Sequence, residues 1–129
     1  MIKKFNEFIN ESSMADYFEV EYYLTVGQHG HVDSYPKFET AYKEALKFKA
    51  REEKEGNLKD GEVEYIGINS NTNKFAVLFV TKTYIKNTDV NHFSDEMAYN
   101  KWIEVANKCL ETGEPQIGDF GDNQTKLEL

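Results

Sequence analysis

A chain of 129 residues, 40% hydrophobic and 14% aromatic, is long and apolar enough to pack one domain and is not that of a wholly disordered protein. Its 23 acidic residues against 15 basic give a net charge of −8, which argues against direct nucleic-acid binding and suits a protein partner with a basic groove. The single cysteine, Cys109, excludes an internal disulfide framework and fits a reducing compartment, and there is no run of about 18 apolar residues that would span a membrane.

Residues 1–11 read MIKKFNEFINE, with charges alternating with aromatics and no apolar stretch of the kind a secretory signal needs. Phe5, Phe8 and Ile9 fall at i, i+3 and i+4, which predicts a short amphipathic helix. Helices this short do not hold alone in water, so the stripe requires a partner surface. The segment Lys4–Glu11 resembles the capsid-targeting peptide of internal head proteins in T-even-type tailed bacteriophages. Those peptides run Met, a basic residue, an aromatic, then Glu-Phe-Ile-x-Glu; Glu7, Phe8, Ile9 and Glu11 match the last part. The resemblance implies entry into the prohead and cleavage by the maturation protease after an apolar-x-Glu sequence, here Ile9 to Glu11, with Ser12 as the new N-terminus. It also implies that the released protein stays with the packaged DNA and is injected into the host. Loss of residues 1–11 removes Lys3, Lys4, Glu7 and Glu11, so the charge stays at −8. Two features depart from the family: Ile2 stands before the basic pair, and this domain is acidic where the best-known members tend to be Lys-rich.

Residues 12–16 read as a polar hinge, 17–115 as the core domain and 116–129 as a polar, loosely attached tail. Tyr17–Val26 alternates, with Phe18, Val20, Tyr22, Leu24 and Val26 on one face and Glu19, Glu21, Tyr23 and Thr25 on the other, which predicts a half-buried strand. The following GQHGHVDSYP, with two glycines and a proline, reads as a loop. From Lys37 to about Glu55 the apolar positions Phe38, Ala41, Tyr42, Ala45 and Leu46 recur at helical spacing, with Ser34 or Thr40 as N-cap and Gly56-Asn57 as the stop. Glu62–Ile68 and Lys74–Ile85 read as two strands of a hairpin joined by an Asn-rich turn. The second contains FAVLFV, a continuous apolar run that predicts burial on both faces. A last helix starts near Ser94 or Asp95, carries Ala98, Trp102, Val105, Ala106, Cys109 and Leu110 on one stripe, and ends at Gly113 and Pro115.

The expected fold is therefore α+β, in the order β-α-β-β-α: a three-stranded antiparallel sheet with two helices on one face. Burying Val20, Tyr22, Val63 and Tyr65 on the helix side turns Glu19, Glu21, Tyr23, Glu62 and Glu64 outward as an acidic, partly aromatic binding surface.

Candidate chemistry is sparse. His29, His31 and Asp33 are the strongest metal-ligand candidates, because imidazoles two residues apart on an extended chain face the same way, and His92 is a further nitrogen donor. No HExxH, CxxC or His-rich pattern accompanies them, so no metal, cofactor or catalytic residue is assigned. Cys109 lies on an apolar stripe without a His or Lys pattern to activate it and reads as a small buried hydrophobe, and Trp102 reads as core.

The sequence leads to a phage protein packaged in the capsid and injected with the DNA. Its expected location is the virion interior, then the host cytoplasm. Its expected partners are the prohead core and maturation protease through residues 1–11, and a host protein, with neither nucleic acid nor membrane bound directly. The expected action is inhibition, by binding, of a host defence or nucleic-acid-processing enzyme. The alternatives are a structural component of the prohead core and a small metal-dependent enzyme using His29, His31 and Asp33.

Overall fold

The computed structural model describes residues 15–121. The targeting-peptide residues Phe5, Glu7, Phe8 and Ile9, and the processing residues Glu11 and Ser12, lie outside them. In chain order the elements are β1 (Phe18–Leu24), β2 (His29–Tyr35), α1 (Phe38–Lys54), β3 (Val63–Ser70), β4 (Lys74–Val80), α2 (Lys82–Asn87), a 3-10 turn (Val90–His92), α3 (Glu96–Thr112) and β5 (Gln116–Asp119). All five strands form one antiparallel sheet in the order β2-β1-β3-β4-β5.

This corrects the expected three-stranded sheet, although the α+β class stands. The segment read as a loop after β1 is the edge strand β2. Gly27 makes the preceding turn at φ 95, and Gly30 is required inside the strand because a Cβ there would run into the Tyr22 ring. The strand beginning at Lys74 stops at Val80 and does not reach Ile85. Thr81 takes the N-cap of α2, its side chain accepting from Tyr84 N. The start of the polar tail is β5, which pairs with β4 from Gln116↔Val77 to Asp119↔Lys74.

The two long helices cover opposite faces, not one. Phe38, Ala41, Ala45 and Phe48 of α1 pack with Phe18, Val20, Ile66, Ile68, Ala76 and Leu78. Trp102, Val105, Ala106 and Cys109 of α3 pack with Tyr65, Phe75, Val77 and Val80. The alternating side chains of β4 divide between the two clusters, which is what the unbroken apolar run demands. The small side chains of Ala41, Ala45 and Ala106, all fully buried, let each helix approach the sheet closely. Fully burying Val20, Ile66, Ile68 and Leu78 stabilises the fold by roughly 1.5–3 kcal/mol per side chain.

The helix ends follow local chemistry. Neither Ser34 nor Thr40 caps α1; the N-cap is Lys37, which makes no side-chain capping bond. Asp95 caps α3, accepting from Ala98 N at 2.8 Å, and Gly113 ends it in the left-handed region at φ 73.

Three bulges decide which side chains meet, one of them at Leu78 in β4, where Ile66 pairs with Phe79 but Gly67 with Val77. Tyr23 pairs with Tyr65 but Leu24 pairs with Val63, so Glu64 is an extra residue in β3. Val63 therefore joins the α1 cluster and Tyr65 the α3 cluster, where simple alternation puts them on one face. In β2, Val20 pairs with Asp33 and Glu21 with His31, leaving Val32 unpaired.

A candidate binding site on the half-open sheet face

Among the described residues, α2, the 3-10 turn and α3 lie over β3, β4 and β5 on the second face and leave most of β1 and β2 uncovered. The acidic face expected from alternation is therefore half roofed. At the junction the sheet and the roof enclose a cavity of about 580 Å³. Glu21, Tyr23 and His29 line its sheet side, Glu64 and Tyr65 its floor, and Tyr84, His92, Phe93 and Trp102 its roof.

The aromatic wall is continuous. Tyr65 and Tyr84 stack at 4.5 Å and 4°; both lie 6.0 Å from Trp102, and Phe93 follows at 5.9 Å. Tyr23 joins from β1, 5.4 Å from Tyr84. The placement of Tyr65 depends on Gly67. A Cβ at Gly67 would collide with the Tyr65 ring and hydroxyl, so that ring lies flat over the glycine. Gly67 pairs with Glu21 across the ladder, which brings the Tyr65 hydroxyl close to the Glu21 carboxylate.

Glu21 is the most perturbed carboxyl group in the site. Burial, reinforced by the neighbouring Glu19 charge, raises its pKa from 4.5 to about 7, while His31 and the Tyr65 hydrogen bond pull the other way. Burial likewise raises Tyr65 and Tyr84, with Glu21 contributing to both, so their hydroxyls remain protonated donors.

On the open half, β1 and β2 place Glu19, Glu21, His29 and His31 together. His31 Nδ1 lies 3.0 Å from Glu19 Oε2, His29 Nε2 lies 3.4 Å from Glu21 Oε1, and the two imidazole rings are 5.2 Å apart. The pairing of His29 with His31 expected on an extended chain is thus present, but Asp33 is not part of it. The bulge at Val32 sets Asp33 opposite Val20, with its charge beside Tyr35 and Glu44 on the α1 side. Ligand atoms of Glu19, Glu21 and His31 lie within 4.8 Å of one another, a spacing that can hold a divalent ion. Each imidazole approaches one oxygen of its carboxylate, and no metal is assigned here.

Of the expected binding residues, Glu19, Glu21, Tyr23 and Glu64 come together on this face. Glu62 does not: it is exposed in the turn before β3, outside the cavity. Sequence reasoning missed Tyr65, Tyr84, Phe93 and the cavity role of Trp102. Thr81, a good N-cap residue three positions before Tyr84, was the signal that could have placed Tyr84 on a helix. Cys109 is buried in the α3 cluster, and burial raises its thiol to about 11 against the opposing pull of Lys49, which makes it a poor nucleophile.

No family model, curated protein or solved structure matches this chain.

Proposed function

We propose that this is a binding protein whose working surface is the uncovered β1–β2 half of the sheet and the cavity beside it. One observation carries the proposal. An acidic, aromatic surface leads into a preformed cavity whose lining, among the described residues, contains carboxylates and aromatic rings and neither Lys nor Arg. Such a surface complements a basic protein segment and disfavours phosphate backbones. A lining of carboxylates and packed rings suits the capture of a cationic group, and binding is the activity this geometry supports.

The likeness of residues 4–11 to capsid-targeting peptides supplies the setting. The proposal is of a phage protein packaged in the head, cut after Glu11 and carried into the host with the DNA. There it blocks a defence or nucleic-acid-processing enzyme by occupying a basic groove. Such enzymes need basic grooves to hold nucleic acid, and an acidic domain competes for them. Intact mass spectrometry of purified virions tests the delivery half. A species beginning at Ser12 supports it; absence of the protein from the virion, or only the uncut chain there, counts against it.

A further inference from the structure

The geometry points to the cavity between β1, β3, α2 and α3 as a receptor for the guanidinium group of an arginine side chain on the partner protein. This rests on the reading of the half-open face as a binding surface and names what that surface grips.

Three features select this ligand. The first is charge: among the described residues, Glu21 and Glu64 line the cavity and no Lys or Arg does. The second is shape. Tyr23, Tyr84 and Phe93 line the cavity with half-buried rings, packed on the buried Trp102, and a planar cation stacks on the faces such rings leave open. The third is the supply of acceptors. A guanidinium carries five N–H donors in a rigid fork, and beside the two carboxylates the cavity offers the side-chain oxygens of Asn69, Asn87 and Thr88. A lysine ammonium fills the charge requirement but not the planar one. The volume of about 580 Å³ exceeds a single guanidinium, which favours an arginine presented with its flanking residues over a small free cation.

The Glu21 carboxyl is held up at about 7 by burial and by Glu19, and a fixed positive charge beside it would favour its ionised form. The groups facing it are Glu19 on its own strand, His29 and His31 from β2, Tyr65 from β3 and Tyr84 from α2. Binding should therefore tighten as pH rises through about 7, where Glu21 ionises.

Trp102 is the only tryptophan in the chain and lines the cavity, so its emission reports occupancy. The test is a fluorescence titration of the full chain with acetyl-Gly-Arg-Gly-amide, against the same peptides carrying citrulline or lysine. The expected result is a saturable change with the arginine peptide, with a midpoint on the order of 1 mM or below. Citrulline, which keeps the shape and loses the charge, should bind about ten-fold more weakly or worse. Glu21→Gln and Glu64→Gln should each weaken arginine binding by about ten-fold, with the emission of the free protein unchanged as evidence of folding. Glu53→Gln, on the outer surface of α1, should leave it unaltered. No saturable response, equal binding of citrulline, or equal binding by both cavity variants overturns the assignment. If the peptide fails but a photo-reactive benzoylphenylalanine in place of Tyr23 still cross-links a host partner, the arginine assignment falls and the binding surface stands. If the peptide binds and nothing cross-links there, the arginine site stands and the docking role of the open face falls.

Discussion

Replacing Glu21 by Gln should make the protein more stable above neutral pH and leave it nearly unchanged in acid. The carboxyl is only 15% exposed, and its pKa rises from 4.5 to about 7 on folding, chiefly through burial. Between those values the folded state holds a proton that the unfolded chain has lost, so wild-type stability falls as pH rises across that window. At ~1.4 kcal/mol per unit, the folded state gives up on the order of 3 kcal/mol by the time Glu21 is fully ionised. Gln has the same shape, keeps an oxygen for the Tyr65 hydroxyl and has no charge to desolvate. Urea unfolding of both proteins from about pH 4 to about pH 8 isolates Glu21 and the groups coupled to it, because titrating groups that do not interact with Glu21 cancel in the difference. The two curves should meet near the acid end and diverge until the variant leads by about 3 kcal/mol, or roughly 10 °C in Tm. Glu19→Gln should shrink the gap, because it removes the neighbouring like charge. A constant difference between wild type and Glu21→Gln over the whole range would refute the placement of Glu21 in a desolvated site.

Other expectations follow from the packing. Gly67→Ala should cost about 1–3 kcal/mol in chemical denaturation and weaken cavity binding, because the new methyl displaces the Tyr65 ring. Thr81→Ala should cost about 1 kcal/mol and perturb Tyr84 resonances more than those of α1, since it uncaps only α2. Cys109, buried with its thiol raised to about 11, should resist iodoacetamide in the folded protein and react promptly in denaturant, as followed by mass spectrometry.

Much of the scaffold is legible in the amino-acid order, and the rest is hidden for identifiable physical reasons. The α1 and α3 stripes and the alternation of β1 are strong periodic signals, because each element buries one face against a core. FAVLFV predicted burial on both faces, and the structure resolves what covers them: α1 on one side, α3 on the other. The expected placement of both helices on one face was inconsistent with that run. β2 left no pattern because it is an edge strand with no buried residue, and its Gly30 and the following Pro36 imitate loop composition. β5 is four residues long with Ile117 half exposed, too short to register as alternation. The site was half legible. Glu19, Glu21 and Tyr23 follow from strand parity, whereas the bulges at Glu64 and Val32 move Tyr65 in and Asp33 out, and a single extra residue in a ladder has no sequence signature here.

The claim that the uncovered β1–β2 face is the working surface is tested most directly by cross-linking in host extract. A photo-reactive benzoylphenylalanine would replace Tyr23, at the mouth of the cavity, and in a second protein Lys47, exposed on α1. A single host protein should be captured from position 23 and not from position 47, competed away by unlabelled wild type and lost when Glu21 and Glu64 are both changed to Lys. Equal capture from both positions, or capture from position 23 that survives the double charge reversal, would contradict that claim.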